Sequence, residues 1–203
     1  MVATFPNLLV VNNALPVHTI SDLIALLKKA PGKYAFASSG QGTSLHLSGE
    51  MFKVMTGTDM LHIPYKGGGP ALADVMGGVV HMTFGNMPTV LAQSKGGRVR
   101  AVAVTSAERW FTAPEIPTVA ETVPGFVAMS WHGVAFPAGT PAGIVDKLSG
   151  AMQKALNSAD MQDKLAAGGA KAMPMSPQQF AAYIREDTER WAPIIRASGA
   201  RVE

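Results

Sequence analysis

Short apolar segments alternate with amphipathic helical patterns along the first half of this sequence, and the alternation limits the folds it can adopt. A continuous apolar segment is typical of a strand that is buried on both faces. Between these segments, helical spacing of apolar residues predicts helices such as Ile20–Lys29, for which Thr19 is a suitable N-cap. Strands that alternate with helices indicate an α/β fold with a parallel sheet. The predicted strands are residues 8–11, 34–37, 61–63, 79–84 and 99–104.

The second part of the chain lacks the strands that a complete sheet needs. Residues 109–125 are rich in proline and predict an irregular connection. Beyond them only one clear strand is predicted, at residues 130–136, and a strand alone forms no sheet. We therefore predict a complete α/β ligand-binding lobe at residues 1–125 and the incomplete, helix-rich carboxyl-terminal part of another lobe at residues 126–203. The missing strand partners must come from an absent segment, from the first lobe or from another chain.

Three helical patterns follow that last strand. Thr140 and Pro141 are residue types that suit an N-cap and a first helical position, and they predict a helix that runs to about residue 157. Ser176 and Pro177 predict the start of the last helix on the same grounds. A short helix at residues 160–167 lies between them.

A loop rich in hydroxyl groups and glycine joins the second predicted strand to the following helix. Its sequence is Ser38-Ser39-Gly40-Gln41-Gly42-Thr43-Ser44. A helix start offers unpaired backbone N–H groups and a partial positive charge, which favour an anion. A cap would need only Thr43, so the other hydroxyl groups and glycines predict contact with a ligand. The spacing is neither that of a P-loop nor that of a dinucleotide-binding fingerprint.

A second glycine-rich loop, Tyr65-Lys66-Gly67-Gly68-Gly69, follows the third predicted strand. It is either a flexible turn or a loop that brings its backbone close to a ligand. Asn86 follows the next strand and either closes a turn or reaches the same crevice. Ligands of α/β sheets bind where the carboxyl ends of the strands meet. We therefore expect the two loops and Asn86 to converge.

Composition excludes several classes of function. The sequence contains no cysteine, which excludes disulfide bonds, thiol catalysis and cysteine–zinc sites. The formal net charge is +3, with the basic residues scattered, so no nucleic-acid partner is predicted. No apolar stretch approaches the ~20 residues that span a bilayer, and no signal peptide is recognisable. The five histidines lack metal-ligand spacing, and neither a metal nor a cofactor is predicted.

An enzymatic interpretation remains open at this point. A hydrolase or transferase with an α/β fold could use Ser39 or His46 in the same crevice. The sequence contains no GxSxG nucleophile elbow, and no pair of carboxylates suggests acid–base catalysis. Glu50 lies too far along the predicted helix to orient His46 in an obvious way. Structural roles are favoured for His46 and for the histidines in or beside the strands.

An ordered series of motifs runs through nearly the whole chain. The motifs are Leu9-Val10-Val11-Asn12, Pro31-Gly32-Lys33-Tyr34, the loop of residues 38–44 with Leu45-His46-Leu47, His62-Ile63-Pro64-Tyr65-Lys66-Gly67-Gly68, Ala101-Val102-Ala103-Val104-Thr105-Ser106, Ile116-Pro117-Thr118-Val119-Ala120-Glu121 and Pro137-Ala138-Gly139-Thr140-Pro141. Together they resemble the Bug-type solute-binding proteins of tripartite tricarboxylate transporters, the TctC family. The resemblance implies a periplasmic, two-lobed Venus flytrap of the type II periplasmic-binding-protein class. It also implies a non-catalytic receptor that presents a small carboxylate to membrane transporter subunits.

The resemblance assigns residues to the ligand site. Backbone amides and hydroxyl groups of the two loops would hold one carboxylate between the lobes. With Asn86, the candidate ligand-binding residues are Ser38, Ser39, Gly40, Gly42, Thr43, Ser44, Tyr65, Lys66, Gly67 and Asn86.

The sequence departs from the family pattern in two ways. Family chains typically begin further upstream, in a part that carries most of the other lobe and the export signal. A shortened cleft implies weak affinity and a homodimer through the incomplete lobe, or a remnant that requires a partner chain. Gly85 stands where relatives often carry aspartate, which argues against an amino-acid ligand.

Overall fold

The structure, a computed structural model, describes residues 1–199. A short 3₁₀ turn covers Val119–Glu121. The strands and helices, in chain order, are β1 (Ala3–Val11), α1 (Ile20–Lys29), β2 (Ala35–Ser38), α2 (Ser44–Thr56), β3 (Leu61–Pro64), α3 (Gly68–Met76), β4 (Met82–Asn86), α4 (Met87–Lys95), β5 (Arg100–Val104), β6 (Met129–His132), α5 (Ala142–Leu156), α6 (Ala159–Ala167), β7 (Lys171–Ala172) and α7 (Pro177–Ser198).

The main sheet is mixed, because β1 runs opposite to its neighbours. The strand order is β3-β2-β4-β1-β5. The second half of β1 pairs antiparallel with β4 and β5, whereas β2 pairs parallel with β3 and β4. The prediction of a purely parallel sheet is therefore wrong at β1. An apolar segment reveals that a strand is buried on both faces, but not the direction in which it runs.

The first half of β1 belongs to a second sheet. Residues 3–6 of β1 pair antiparallel with β6, and Ala3 and Thr4 also pair with β7. Within residues 1–199, β6 thus obtains its partner from the first part of the chain, which was one of the three predicted sources. The division of the chain into lobes at residue 125 stays a prediction.

Several element boundaries differ from the predicted ones. β4 begins at Met82 rather than at Val79, because Gly77 and Gly78 form a turn that leaves Val79 71% exposed. β6 ends at His132. Helix α5 begins at Ala142, with Pro141 rather than Thr140 as N-cap.

The capping residues explain these helix starts. The Thr140 hydroxyl donates to the carbonyl of Pro137 at 2.9 Å and closes the preceding turn instead of capping α5. Thr19 and Ser176 form capping boxes at the starts of α1 and α7, as their sequences predict.

Two apolar clusters cover the two faces of the main sheet. Leu9 and Val11 of β1 join one cluster, and Leu8 and Val10 join the other, as the two-residue period of a strand requires. Helix α2 approaches the sheet closely at Gly49, where a Cβ atom would lie 2.3 Å from the Phe36 ring. This close contact fixes the start of α2 beside the carboxyl end of β2. No helix in residues 1–199 is long and apolar enough to cross a membrane.

Candidate functional site

The loop of residues 38–44 forms the turn that its sequence predicts. Gly40 and Gly42 have φ angles of 131° and 71°, which other residues rarely adopt. Thr43 is the N-cap of α2 and accepts the His46 N–H at 3.5 Å. The Thr43 hydroxyl also donates to the Gly40 carbonyl at 2.8 Å. The hydroxyl of Thr43 therefore shapes the loop rather than pointing freely at a ligand.

Ser38 and Ser39 have different surroundings, although they are adjacent. Ser38 is fully buried, and its Oγ makes hydrogen bonds with the backbone of Gly40, at 3.1 Å to both N and O. The Ser39 hydroxyl has no protein partner within residues 1–199, and Ser39 lines a cavity of about 110 Å³. Of these two serines, Ser39 is the one that lines a cavity with a hydroxyl group free of partners in the described part of the chain.

Three helices begin around this cavity, which is the smaller of the two cavities described in this subsection. Their N-caps are Thr43 for α2, Gly67 for α3 and Asn86 for α4. The first amides of α2 and α3 have no acceptor within residues 1–199. Helix N-termini carry partial positive charge, and their convergence favours an anion. No charged residue lines this cavity, whose lining is Ser39, Leu45, Gly68, Gly69, Thr83, Gly85, Asn86, Thr89 and Val90.

Asn86 separates the smaller cavity from a larger one of about 290 Å³. Its Oδ1 faces the hydroxyl groups of Ser44 at 3.4 Å and Ser130 at 3.2 Å. Its Nδ2 donates to no acceptor within the described residues. The carboxamide thus offers two N–H groups at the boundary of both cavities. The larger cavity is lined by Gly42, Ser44, Leu47, Asn86, Met129, Ser130, Trp131, His132, Asp187 and Trp191.

A buried polar network supports this boundary from below. Asn7, fully buried where β1 passes between the sheets, donates through Nδ2 to the Ser44 carbonyl at 3.2 Å and to Ser48 Oγ at 2.9 Å. Its Oδ1 lies 2.9 Å from the Ser130 hydroxyl. The Thr105 hydroxyl accepts the Asn7 backbone N–H at 2.8 Å. The network thus fixes the positions of α2, β1 and β6 relative to one another.

The loop after β3 is joined to the first loop through its backbone. The Tyr65 N–H donates to the Ser38 carbonyl at 3.0 Å. The Tyr65 hydroxyl donates to Asp74 Oδ2 at 2.7 Å, and this hydrogen bond raises the pKa of Tyr65 to about 12. Lys66 is exposed. Neither Tyr65 nor Lys66 lines either cavity, and it is Gly68 and Gly69, at the start of α3, that do so.

The structure therefore brings only some of the predicted residues to the cavities. Ser39, Gly42, Ser44 and Asn86 line one or both of them. Ser38, Gly40 and Thr43 shape the first loop, and Gly67 caps α3.

Sequence reasoning missed Asn7 and Ser130. Each lies in or beside a predicted strand and therefore resembled an ordinary strand residue. A buried polar side chain next to an apolar run was the available signal, because such groups need hydrogen-bonding partners.

Two histidines stack beneath the first loop. The rings of His46 and His62 lie 3.8 Å apart between centroids and are inclined by 14°. Burial is the largest cause that lowers the pKa of both imidazoles below 6.5, to about 4 for His62. Both rings are therefore neutral at pH 7. Within residues 1–199, no group of three or more His, Cys, Asp or Glu side chains is arranged to hold a metal ion.

Comparison with known proteins agrees with this geometry. BugT of Bordetella pertussis (strain Tohama I) is 39% identical over 204 residues, which cover all of this chain and 63% of BugT. The chain thus spans less than two thirds of the length of that relative.

Solved structures with similar folds include R. palustris Rpa4515 with adipate, at 37% identity and a TM-score of 0.95 over 98% of this chain and 67% of that one. The structure of the periplasmic binding protein BugD has 31% identity and a TM-score of 0.92 over 100% of this chain and 69% of that one. MatC (Rpa3494) from Rhodopseudomonas palustris with bound malate has 27% identity and a TM-score of 0.86 over 95% and 67%, respectively. These similarities confirm the predicted fold class of periplasmic solute-binding proteins.

The family profile described as tripartite tricarboxylate transporter family receptor, TctC, matches residues 1–200. The family consists of transport receptors and not of enzymes. With the converging helix starts and the ordered motifs, this match over nearly the whole chain establishes that the protein belongs to the TctC receptor family.

Proposed function

We propose that this protein is a periplasmic receptor that binds a small carboxylate and presents it to a tripartite tricarboxylate-type transporter. Family membership supports a role in transport, and two similar structures hold adipate and malate. The observation that carries the proposal is the Nδ2 group of Asn86, which has no acceptor within residues 1–199 and lies among three helix starts. A carboxylate is the organic group that such a set of donors suits best.

In this proposal one carboxylate enters the smaller cavity. The first amides of α2 and α3, the Ser39 hydroxyl and Asn86 Nδ2 donate hydrogen bonds to its oxygens. The rest of the ligand extends past Asn86 into the larger cavity, between the main sheet and β6. The two parts of the chain that line this larger cavity act as the two sides of a binding cleft.

The charge of the site favours an acid without an amino group. No acidic residue lines the smaller cavity. Asp187 in the larger cavity already accepts from Trp131 Nε1 at 2.9 Å and pairs with Arg190. At Gly85 a Cβ atom would lie 2.3 Å from Val90 Cγ1, so this backbone leaves no room for a carboxylate at that position. An ammonium group would thus lack a free acidic partner.

Replacing Ser39 with alanine tests the site. We expect affinity to fall by about tenfold or more, because a hydrogen bond to a charged group contributes about 1.5–3 kcal/mol. Thermal stability should not change, because Ser39 Oγ has no partner within residues 1–199. Isothermal titration calorimetry with adipate and malate measures the affinity.

Ser158→Ala is the matched control for this substitution. Ser158 caps α6 and lines neither cavity, and its removal should leave affinity unchanged. If wild-type protein binds neither these acids nor any other mono-, di- or aromatic carboxylate in a thermal-shift screen, the proposed function is wrong. If it binds and Ser39→Ala binds equally well, the position of the site is wrong.

The enzymatic interpretation finds no support in the family or in the geometry. His46 is buried, with 4% of its surface exposed, and its Nδ1 already accepts the Gly42 N–H at 3.1 Å. It therefore cannot remove a proton from Ser39 or from a substrate in this arrangement. The nearest carboxylate to His46, Glu50, also pairs with Lys53.

We also propose that two copies of the chain associate through the part that follows β6. An apolar groove of about 370 Å³ lies there, between the segment after β6 and helices α5 and α7. Phe136, Leu148 and Ile184 line it and are 37–39% exposed. Large exposed apolar patches are uncommon in monomers.

Light scattering over a range of protein concentrations tests the proposed association. We expect the apparent mass to rise towards that of a dimer, and Phe136→Asp to return it to a monomer. Phe111→Asp places the same charge outside the groove, at a side chain that is 53% exposed, and should have no effect. A wild-type monomer at every concentration would contradict the proposal.

A further inference from the structure

We propose that His46 and His62 are positioning residues, which as a stacked pair of neutral rings hold the loop of residues 38–44 in its ligand-binding shape. This inference rests on the proposed function, because it concerns the same site. Neither ring lines the smaller or the larger cavity, so neither is expected to touch the ligand. Both rings act through the backbone and side chains of the loop.

The His46 ring fixes the second half of the loop. Its Nδ1 accepts the Gly42 N–H at 3.1 Å, a bond that holds Gly42 in its left-handed conformation just before α2. An imidazole nitrogen can accept a hydrogen bond only when it carries no proton. The contact therefore requires the tautomer of His46 with hydrogen on Nε2, and that nitrogen lies 3.8 Å from Glu50 Oε1.

The His62 ring fixes the first half of the loop. Its Nε2 lies 2.6 Å from Ser38 Oγ, the atom that also makes hydrogen bonds with the backbone of Gly40. The ring is also stacked with Phe36 on β2, at 5.0 Å between centroids. The pair thus connects β2, β3 and α2 beneath both ends of one loop.

The surroundings of the pair keep it neutral. Burial disfavours the charged form of each ring. The charge of Lys53 acts in the same direction on both rings, and a charge on His46 also lowers the pKa of His62. Glu50 opposes this effect at His46 alone, and Lys53 is shared between Glu50 and Asp59. At a ring separation of 3.8 Å the two imidazoles cannot both be charged without strong repulsion.

Acidification should therefore release the loop. A proton on His46 Nδ1 replaces the acceptor for Gly42 N–H with a second donor. The pKa of His46 lies below 6.5, so Nδ1 is mostly unprotonated at pH 7 and the bond is lost as the pH falls through that lowered pKa. The protection factor of the Gly42 amide, which is the intrinsic exchange rate at the same pH divided by the observed rate, should then fall.

Two substitutions at one position separate this role from simple packing. Leucine at His46 keeps an apolar side chain but removes the acceptor, whereas asparagine retains an acceptor near the position of Nδ1. We expect His46→Leu to weaken binding of adipate about fivefold, as the loss of one hydrogen bond requires, and His46→Asn to remain within about twofold of wild type. Binding by wild type should fall more steeply with acidification than binding by His46→Asn. Adipate itself changes its protonation in the same way in both experiments. The ratio of the two affinities therefore reports only the protonation of the His46 imidazole.

Two readouts need no ligand and so distinguish failure of this inference from failure of the proposed function. Nitrogen NMR of wild-type protein should show His46 Nδ1 without a proton at pH 7, and Gly42 should be protected from hydrogen exchange in wild type and His46→Asn but not in His46→Leu. His81→Leu is the matched control. His81 Nδ1 accepts the Ala35 N–H at 3.1 Å, at the other end of β2, so its loss should leave Gly42 protection unchanged. A proton on His46 Nδ1 at pH 7, or full Gly42 protection in His46→Leu, would overturn the inference.

Discussion

Replacing Asn86 with aspartate is expected to weaken carboxylate binding by more than about 100-fold. The substitution keeps the shape of the side chain but converts Nδ2, the unpartnered donor, into a second acceptor with negative charge. The lost hydrogen bond accounts for about 1.5–3 kcal/mol, and like charges 4 Å apart add repulsion of up to about 4 kcal/mol near a protein surface. Calorimetry with adipate and malate measures the loss.

This variant should remain folded, which makes the binding result interpretable. Asn86 is the N-cap of α4 and makes no side-chain capping bond there. Aspartate at a helix start interacts favourably with the macrodipole, so the melting temperature should be unchanged or raised. Asn157→Asp makes the same change at an exposed position after α5 and should bind as wild type does. Binding of Asn86→Asp within about threefold of wild type would contradict the proposed role of Nδ2.

Replacing Asn7 with leucine is expected to lower the free energy of unfolding by about 3 kcal/mol. The side chain is fully buried and bonds to Ser44, Ser48 and Ser130. Leucine satisfies none of these groups, and each buried polar group left without a partner costs about 1–3 kcal/mol. For a chain of this size the melting temperature should fall by about 6–12 °C.

Asn13→Leu is the matched control for this loss. Asn13 is exposed and makes one side-chain hydrogen bond, of 2.7 Å, to the Gly97 carbonyl, so the change should stay within about 0.5 kcal/mol. Chemical denaturation of both variants gives the comparison. Equal stability of Asn7→Leu and wild type would mean that the polar network does not stabilise the junction between the sheets.

Local patterns in the sequence were sufficient to predict the first loop and most of the helices, although not the start of α5. Thr19 and Ser176 cap their helices as predicted, because capping depends on residues three positions apart. The turn at residues 38–44 was predictable for the same reason: its glycines and its N-cap lie in one short segment. The converging loops also followed from the order of strands and helices.

Long-range pairing was not predictable from local patterns. Nothing near β1 in the sequence shows that it runs antiparallel to β4 and β5, since direction depends on connections far along the chain. The contacts of Asn7 with Ser48 and Ser130 span 41 and 123 residues. The partner of Tyr65 was also not predictable. Asp74 lies nine residues further along, and only the fold shows that it accepts a hydrogen bond from the Tyr65 hydroxyl group and so is not free to contact a ligand.

The path of β1 has a consequence for the order in which the chain folds. Ala3 pairs with His132 and Ala172, so the first strand acquires its last partners only when almost the whole described chain is available. Contacts of such long sequence separation form slowly, because much chain entropy is lost before they contribute stability. The second half of β1 pairs with β4 and β5, which lie much closer to it in the sequence than β6 and β7 do. We therefore expect the sheet on one side of Asn7 to form before the sheet on its other side, and the larger cavity to take shape with the later one.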